Sequence, residues 1–133
     1  MILTMGSLSS SSREVVDKLR EQGEKVGMVK LKSFRPFPTD EIVETLGQAK
    51  AVAVLEKDIS LGYAGGLFID TAAAFINSKH APLMINFICG LAGRDVTSAQ
   101  IEQAVGEAQK AAKTGVVAEK VRWLGLQEKI VEE

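Results

Sequence analysis

The sequence is poor in the residues that build metal and redox sites: its 133 positions hold one cysteine, Cys89, and one histidine, His80. A zinc site or an iron–sulfur cluster needs about four soft ligands, so neither can be made within this chain. A single cysteine closes no internal disulfide and gives no sign of an oxidising compartment. A Ser-His-Asp triad fails as well, because His80 would have to be its base and no G-x-S-x-G elbow presents a serine. Charge of one sign is also missing. Sixteen basic residues face seventeen acidic ones, unclustered, which leaves no field for nucleic acid or an acidic membrane. The apolar runs, such as Leu83 to Cys89 with Asn86 inside it, fall far short of the ~20 residues of a membrane span. The first residues lack the basic start and apolar core of a signal peptide, so the expected location is cytoplasmic.

What remains is 46% hydrophobic and 25% charged, with a net charge of -1, the composition of one globular domain. A chain of this size buries roughly two-thirds of its unfolded surface and needs no staple. Short apolar runs alternate with amphipathic ones, which predicts an α/β sheet. The strands are Ile2 to Met5, Val26 to Leu31, Ala51 to Leu55 and Leu83 to Ile88, parallel because each gap holds a helix long enough for a crossover. The first helix opens in the serines Ser9 to Ser12, with Ser11 and Glu14 at capping-box spacing, buries Val15, Val16 and Leu19, and stops at Gly23. The second follows Pro38 with Thr39 or Asp40 as cap, turns Ile42, Val43 and Leu46 inward and ends at Gly47. The third starts near Gly65 and Gly66 and is apolar almost all round through Ala72, Ala73, Ala74, Phe75 and Ile76, so it should be covered. The fourth has Thr97 and Gln100 as a capping pair and a stripe from Ile101 through Ala104, Val105 and Ala108 to Ala112. Residues 1–115 form the domain; 116–133 form a docking segment, with Val121, Trp123 and Leu124 as an edge strand or contact and a frayed end beyond.

Three glycine loops lie where ligands bind in parallel sheets: Gly6 to Ser12 with Ser7 and Ser9, Gly62 to Gly66 with Gly65, and Gly90 to Asp95. Serine hydroxyls and free amides at helix starts attract phosphate or carboxylate. Such glycines also serve positive φ angles and tight packing, the reading that glycine's permissiveness favours, and no nucleotide fingerprint is present. The stiff loop Phe34-Arg35-Pro36-Phe37-Pro38 offers two rings and a guanidinium, either as a plug for the end of the core or as an interface anchor. His80 reads as an exposed loop residue and Cys89 as an inert buried one.

Met5-Gly6-Ser7, the R-P-F-P loop at Arg35 to Pro38, Ala51 to Glu56, and Asn86 through Gly90-Leu91-Ala92-Gly93-Arg94-Asp95 occur in the order seen in the α subunit of pyruvate:ferredoxin oxidoreductase and related 2-oxoacid:ferredoxin oxidoreductases. The chain resembles that subunit's transketolase C-terminal-like domain over nearly its whole length. The resemblance implies a three-layer α/β/α fold with a mainly parallel sheet of four or five strands, order 2-1-3-4, and an antiparallel edge strand. The switch point between the first and third strands would set Gly6 to Ser12 beside Gly62 to Gly66. It also implies that the chain is part of a larger subunit and inactive alone. The complete enzyme, pyruvate synthase among its forms, decarboxylates a 2-oxoacid on thiamine diphosphate with magnesium, passes electrons through iron–sulfur clusters to ferredoxin, and makes acyl-coenzyme A. This domain would hold no cofactor and would pack against the other domains and subunits. Arg35 to Pro38 and Gly93 to Asp95 match motif positions with no catalytic act implied, and Phe34, Phe37 and Trp123 join them as interface candidates. The rival reading is a stand-alone flavodoxin-like module that binds a small anion or a phosphate-bearing ligand.

Overall fold

A computed structural model describes residues 1–58, 63–90 and 95–125. Along the chain run β1 (Ile2–Met5), α1 (Leu8–Glu21), β2 (Met28–Leu31), α2 (Thr39–Leu46), β3 (Ala51–Glu56), α3 (Gly66–Ala74), β4 (Leu83–Ile88), α4 (Ser98–Thr114) and β5 (Val121–Trp123). The sheet order is β2-β1-β3-β4-β5. Every neighbouring pair is parallel, from Ile2 opposite Met28 at one edge to Ile88 opposite Trp123 at the other. Strands with helices on both faces bury both sets of side chains, which is why β3 reads as unbroken apolar residues up to Glu56. Ala53 and Leu55 join Ile2, Ile85 and Phe87 under α1 and α4. Val52 and Val54 join Leu3 under α2 and α3.

The edge strand corrects one expectation: β5 runs parallel to β4, not antiparallel. The 17 residues of α4 span about 25 Å, longer than the six-residue β4, so the helix carries the chain back across the sheet before β5 begins. The side on which α4 lies matters too. The first three crossovers share one hand, since α1 covers the step toward β2 and α2 and α3 cover the steps the other way on the opposite face. The step to β5 continues in that second direction, yet α4 packs beside α1. This connection therefore has the opposite hand from the usual one. On the second face Met84 of β4 and Val121 of β5 pack against the α2–α3 core, and Lys120 Nζ sits 4.8 Å from the centroid of the Tyr63 ring.

Helix boundaries follow the punctuation with two exceptions. α1 starts at Leu8, ahead of the serines, because Gly6 takes a φ of +70° and turns the chain straight out of β1. Leu8 then falls on the buried stripe with Ser12, Val15 and Val16, and the Ser11–Glu14 capping box is not formed. At α2 neither Thr39 nor Asp40 caps. Pro38 holds the N-cap position without a side-chain bond, and its carbonyl accepts from Ile42 N at 3.0 Å. At α4 the expected box is complete: Gln100 N donates to Thr97 Oγ1 and Thr97 N to Gln100 Oε1, each at 3.2 Å. Gly115 closes the helix at a φ of +74°.

Candidate functional site

The switch point lies between β1 and β3, as the sheet order requires, and its far wall is the start of α3. Glu56 ends β3 there with 3% of its surface exposed. Leu67 N donates to its Oε1 at 2.8 Å, Phe68 N to Oε2 at 2.9 Å, and Asn86 Nδ2 to Oε2 at 2.8 Å. Asn86 is wholly buried on β4, one strand over; its Oδ1 accepts from Gly65 N at 2.8 Å and its Nδ2 also reaches Val54 O at 3.2 Å. Gly66 N points at Asp58 Oδ2 at 3.4 Å. The backbone amides of residues 65 to 68, which a helix N-terminus would otherwise offer to an anion, thus all donate to the protein's own side chains.

Burial pushes the Glu56 carboxyl up to about 7; a hydrogen bond with Asp58 adds to the rise, the Phe68 and Leu67 amides oppose it, and the Asp58 charge adds a little more. Gly65 is glycine for a steric reason, since a Cβ there would land on the Glu56 carboxyl group. A Cβ at Gly66 would come within 3.2 Å of Asp58 Oδ2.

The R-P-F-P loop is clamped onto the same helix. Arg35 Nη1 donates to Asp70 Oδ2 on α3 at 2.7 Å and to Phe34 O at 2.8 Å, and the guanidinium carbon stands 4.2 Å from the Phe34 ring centroid. Phe34 and Phe37 meet edge to face at 6.2 Å, both half-buried at the end of the α2–α3 core. The Arg35–Pro36 peptide is cis. Pro36 is exposed and Pro38 leads into α2.

The remaining candidates are scattered. Gly6 makes the β1–α1 turn and accepts from Ser9 N at 3.1 Å; Ser7 is exposed, while Ser9 is buried with an unpartnered hydroxyl. Thr4 and Ser12 are alike in this. Asp95 is exposed ahead of the Thr97 cap, and Trp123 is half-buried on the β5 edge. Gly62, Gly93 and Arg94 lie outside the described residues. His80 is exposed. Cys89 is buried, its thiol faces Glu56 O at 3.7 Å, and burial pushes it up to about 11, so it is a poor nucleophile. Sequence reasoning named no role for Glu56 or Asn86; the signal was a polar residue closing one apolar strand and another interrupting its neighbour.

The donor set does not fit the groups that the resemblance implies. One buried thiol holds no iron–sulfur cluster, no three acidic, histidine or cysteine side chains gather for a metal among the described residues, and the α3 amides are already engaged. A cavity of about 700 Å³ opens on the other edge of the sheet, at the amino ends of the strands, where Ile2, Val26, Ala51 and Val105 line it. No helix of the described residues is long and apolar enough to cross a membrane.

Comparison with known proteins agrees with this architecture. The chain is 47% identical over 131 residues to pyruvate synthase subunit PorA of Pyrococcus furiosus, covering 98% of this chain and 33% of that subunit. It is 42% identical over 126 residues to ketoisovalerate oxidoreductase subunit VorA of the same organism, covering 95% and 32%. To the PorA of Methanosarcina barkeri it is 38% identical over 132 residues, covering 98% and 33%. The chain spans about a third of the length of the curated relatives it matches. Residues 1–101, from β1 into α4, match the family profile, and the chain belongs to the pyruvate:ferredoxin oxidoreductase core domain II family.

Proposed function

We propose that this chain is a non-catalytic assembly domain of the α subunit of a 2-oxoacid:ferredoxin oxidoreductase. The observation that carries the reading is the closed start of α3. In a ligand-binding α/β domain the amides at the switch point are left free, whereas here Glu56, Asn86 and Asp58 take those at the start of α3 and turn that side into an internal brace. The names of the relatives, pyruvate synthase and ketoisovalerate oxidoreductase, supply the substrate class. The complete enzyme would oxidise a 2-oxoacid to carbon dioxide and acyl-coenzyme A and pass two electrons to ferredoxin. Thiamine diphosphate, magnesium and the iron–sulfur clusters would sit on its other domains and subunits, a reading supported by the lack of a metal-ligating cluster among the described residues. In this reading the chain lies in the cytoplasm, with residues 1–115 as the packing body and 116–133 as a docking segment.

An exchange tests this. The matching 131 residues of the Pyrococcus furiosus PorA subunit are replaced by this chain and assembled with the other subunits of that enzyme. Pyruvate- and coenzyme A-dependent reduction of ferredoxin should survive, and failure to assemble a working enzyme would overturn the reading. The rival anion-binding module makes the opposite claim about the isolated chain. Coenzyme A, thiamine diphosphate and inorganic phosphate should leave its melting temperature unchanged, whereas a rise with any of them supports the module.

A further inference from the structure

The outer side of α3 is not built like a solvated helix surface, unlike that of α2, where Asp40, Glu41 and Glu44 are exposed. α3 turns Leu67, Phe68 and Thr71 into the core. The opposite side carries Ala72, Ala73 and, just past the helix, Ile76, while Ile69 is half-buried against the α2–α3 core. Ile76 is 80% exposed. The one charge on α3, Asp70, is already paired with Arg35. Near the C-terminal end of α3 a cleft of about 470 Å³ lies between the two helices; Val43 and Ala74, half-buried against the core, contribute apolar side chains, and Asp40 and Glu44 contribute carboxylates beside the polar Thr39, Asn77 and Ser78. Neither carboxylate meets a cation among the described residues, and α2 has no basic residue.

We propose that this face docks an apolar helix flanked by lysine or arginine, supplied by the part of the same oxidoreductase subunit that lies outside these 133 residues. The inference rests on the assembly role proposed above. Ala72, Ala73 and the exposed Ile76 leave the outer side of α3 apolar, and the two alanines let a second helix approach closely. Unpaired carboxylates lining the cleft select a basic flank. The chain spans only 33% of the length of its Pyrococcus relative, so about twice its own length of polypeptide is available in that subunit to cover the face. A second copy of this chain is the poorer occupant, because a two-fold contact through the cleft sets Asp40 and Glu44 against their own equivalents.

Hydroxyl-radical footprinting, read by mass spectrometry at Ile76 and Val43, tests the inference. Three samples are compared: the 133-residue chain, the exchanged PorA subunit described above, and the fully assembled enzyme. Labelling should be strong in the chain and lost in the exchanged subunit alone. Loss only after the other subunits are added would overturn the inference in favour of one of them, loss only in concentrated chain would favour self-association, and labelling in all three would leave the face uncovered. Asp40→Lys with Glu44→Lys in the exchanged subunit should restore labelling at Ile76, while Glu14→Lys with Asp17→Lys on α1 should leave the protection intact. Protection that survives the α2 reversal overturns the basic partner. An exchanged enzyme that assembles and turns over with Ile76 still labelled defeats this inference and spares the assembly role; one that never assembles defeats the role itself.

Discussion

Replacing Glu56 by glutamine should change how stability depends on pH. The carboxyl titrates at about 7 in the fold, against about 4.5 when unfolded, with burial as the main cause. Between those values the folded chain holds a proton that the unfolded chain has released. Stability is therefore fully present below the unfolded value and is lost as pH climbs through the folded one. A shift of that size corresponds to at most about 3 kcal/mol, part of it shared with Asp58 through their common hydrogen bond. Glutamine cannot titrate, so this decline disappears. It also loses a bond, because only one of its two terminal atoms accepts. With the carbonyl placed at the Oε2 position, Phe68 N and Asn86 Nδ2 stay satisfied and Leu67 N faces another donor. One lost bond of this kind removes about 2 kcal/mol. For a domain of this size that lowers the melting temperature by roughly 5–10 °C. The assay is a thermal melt of both proteins from pH 4 to 9. The wild-type curve should fall toward the variant's as pH rises from 5 to 8. Parallel curves across that window would show that Glu56 does not titrate there and would refute the reasoning.

Three further outcomes follow from the same geometry. Gly65→Ala forces a methyl group onto the Glu56 carboxyl and should lower stability in urea by about 1–3 kcal/mol, with Gly106→Ala, which opens into free space on α4, as a control that does not destabilise. Thr97→Ala removes the hydroxyl half of the α4 capping box and should cost about 1 kcal/mol by the same assay, with no change in the urea dependence. Cys89 should resist a thiol reagent at pH 8 in the folded chain and react at once in denaturant; rapid reaction in the fold would contradict its burial.

Much of the fold was legible because local rules and global packing agree. β1 and β4 fall on the runs predicted for them, and α4 begins and ends at the cap and glycine that announce it. The misreadings occur where a long-range constraint outweighs a local motif. Ser11 and Glu14 have capping spacing, but Gly6 and the pull of Leu8 into the core start the helix one turn earlier. The direction of β5 follows from α4 carrying the chain back across the sheet, and the hand of that crossover from the face α4 packs on, which its single apolar stripe does not specify. Glu56 and Asn86 are 30 residues apart, and only the β3–β4 register brings them together. A polar residue at the end of a buried strand marks that something must satisfy it, without naming the partner.

The brace and the docking face meet on one helix, and that has a mechanical consequence. α3 contributes its first turn to Glu56, Asn86 and Asp58, its middle to the Arg35 clamp through Asp70, and its outer stripe to whatever covers Ile76. A helix of nine residues is too short to hold its shape by propensity alone. Its orientation is set by the carboxylate at one end and by packing along its length. The amides at its start satisfy Glu56 and Asn86 in a setting where leaving either unpaired would be costly. Rigid presentation of the outer stripe therefore depends on a buried polar network on the far side of the same element. A substitution that loosens Glu56 should weaken docking at Ile76 without touching it, so footprinting the Glu56→Gln form of the exchanged subunit should show partial return of Ile76 labelling at temperatures where the domain remains folded. Unchanged protection there would mean that the outer face is held by its partner and owes nothing to the brace.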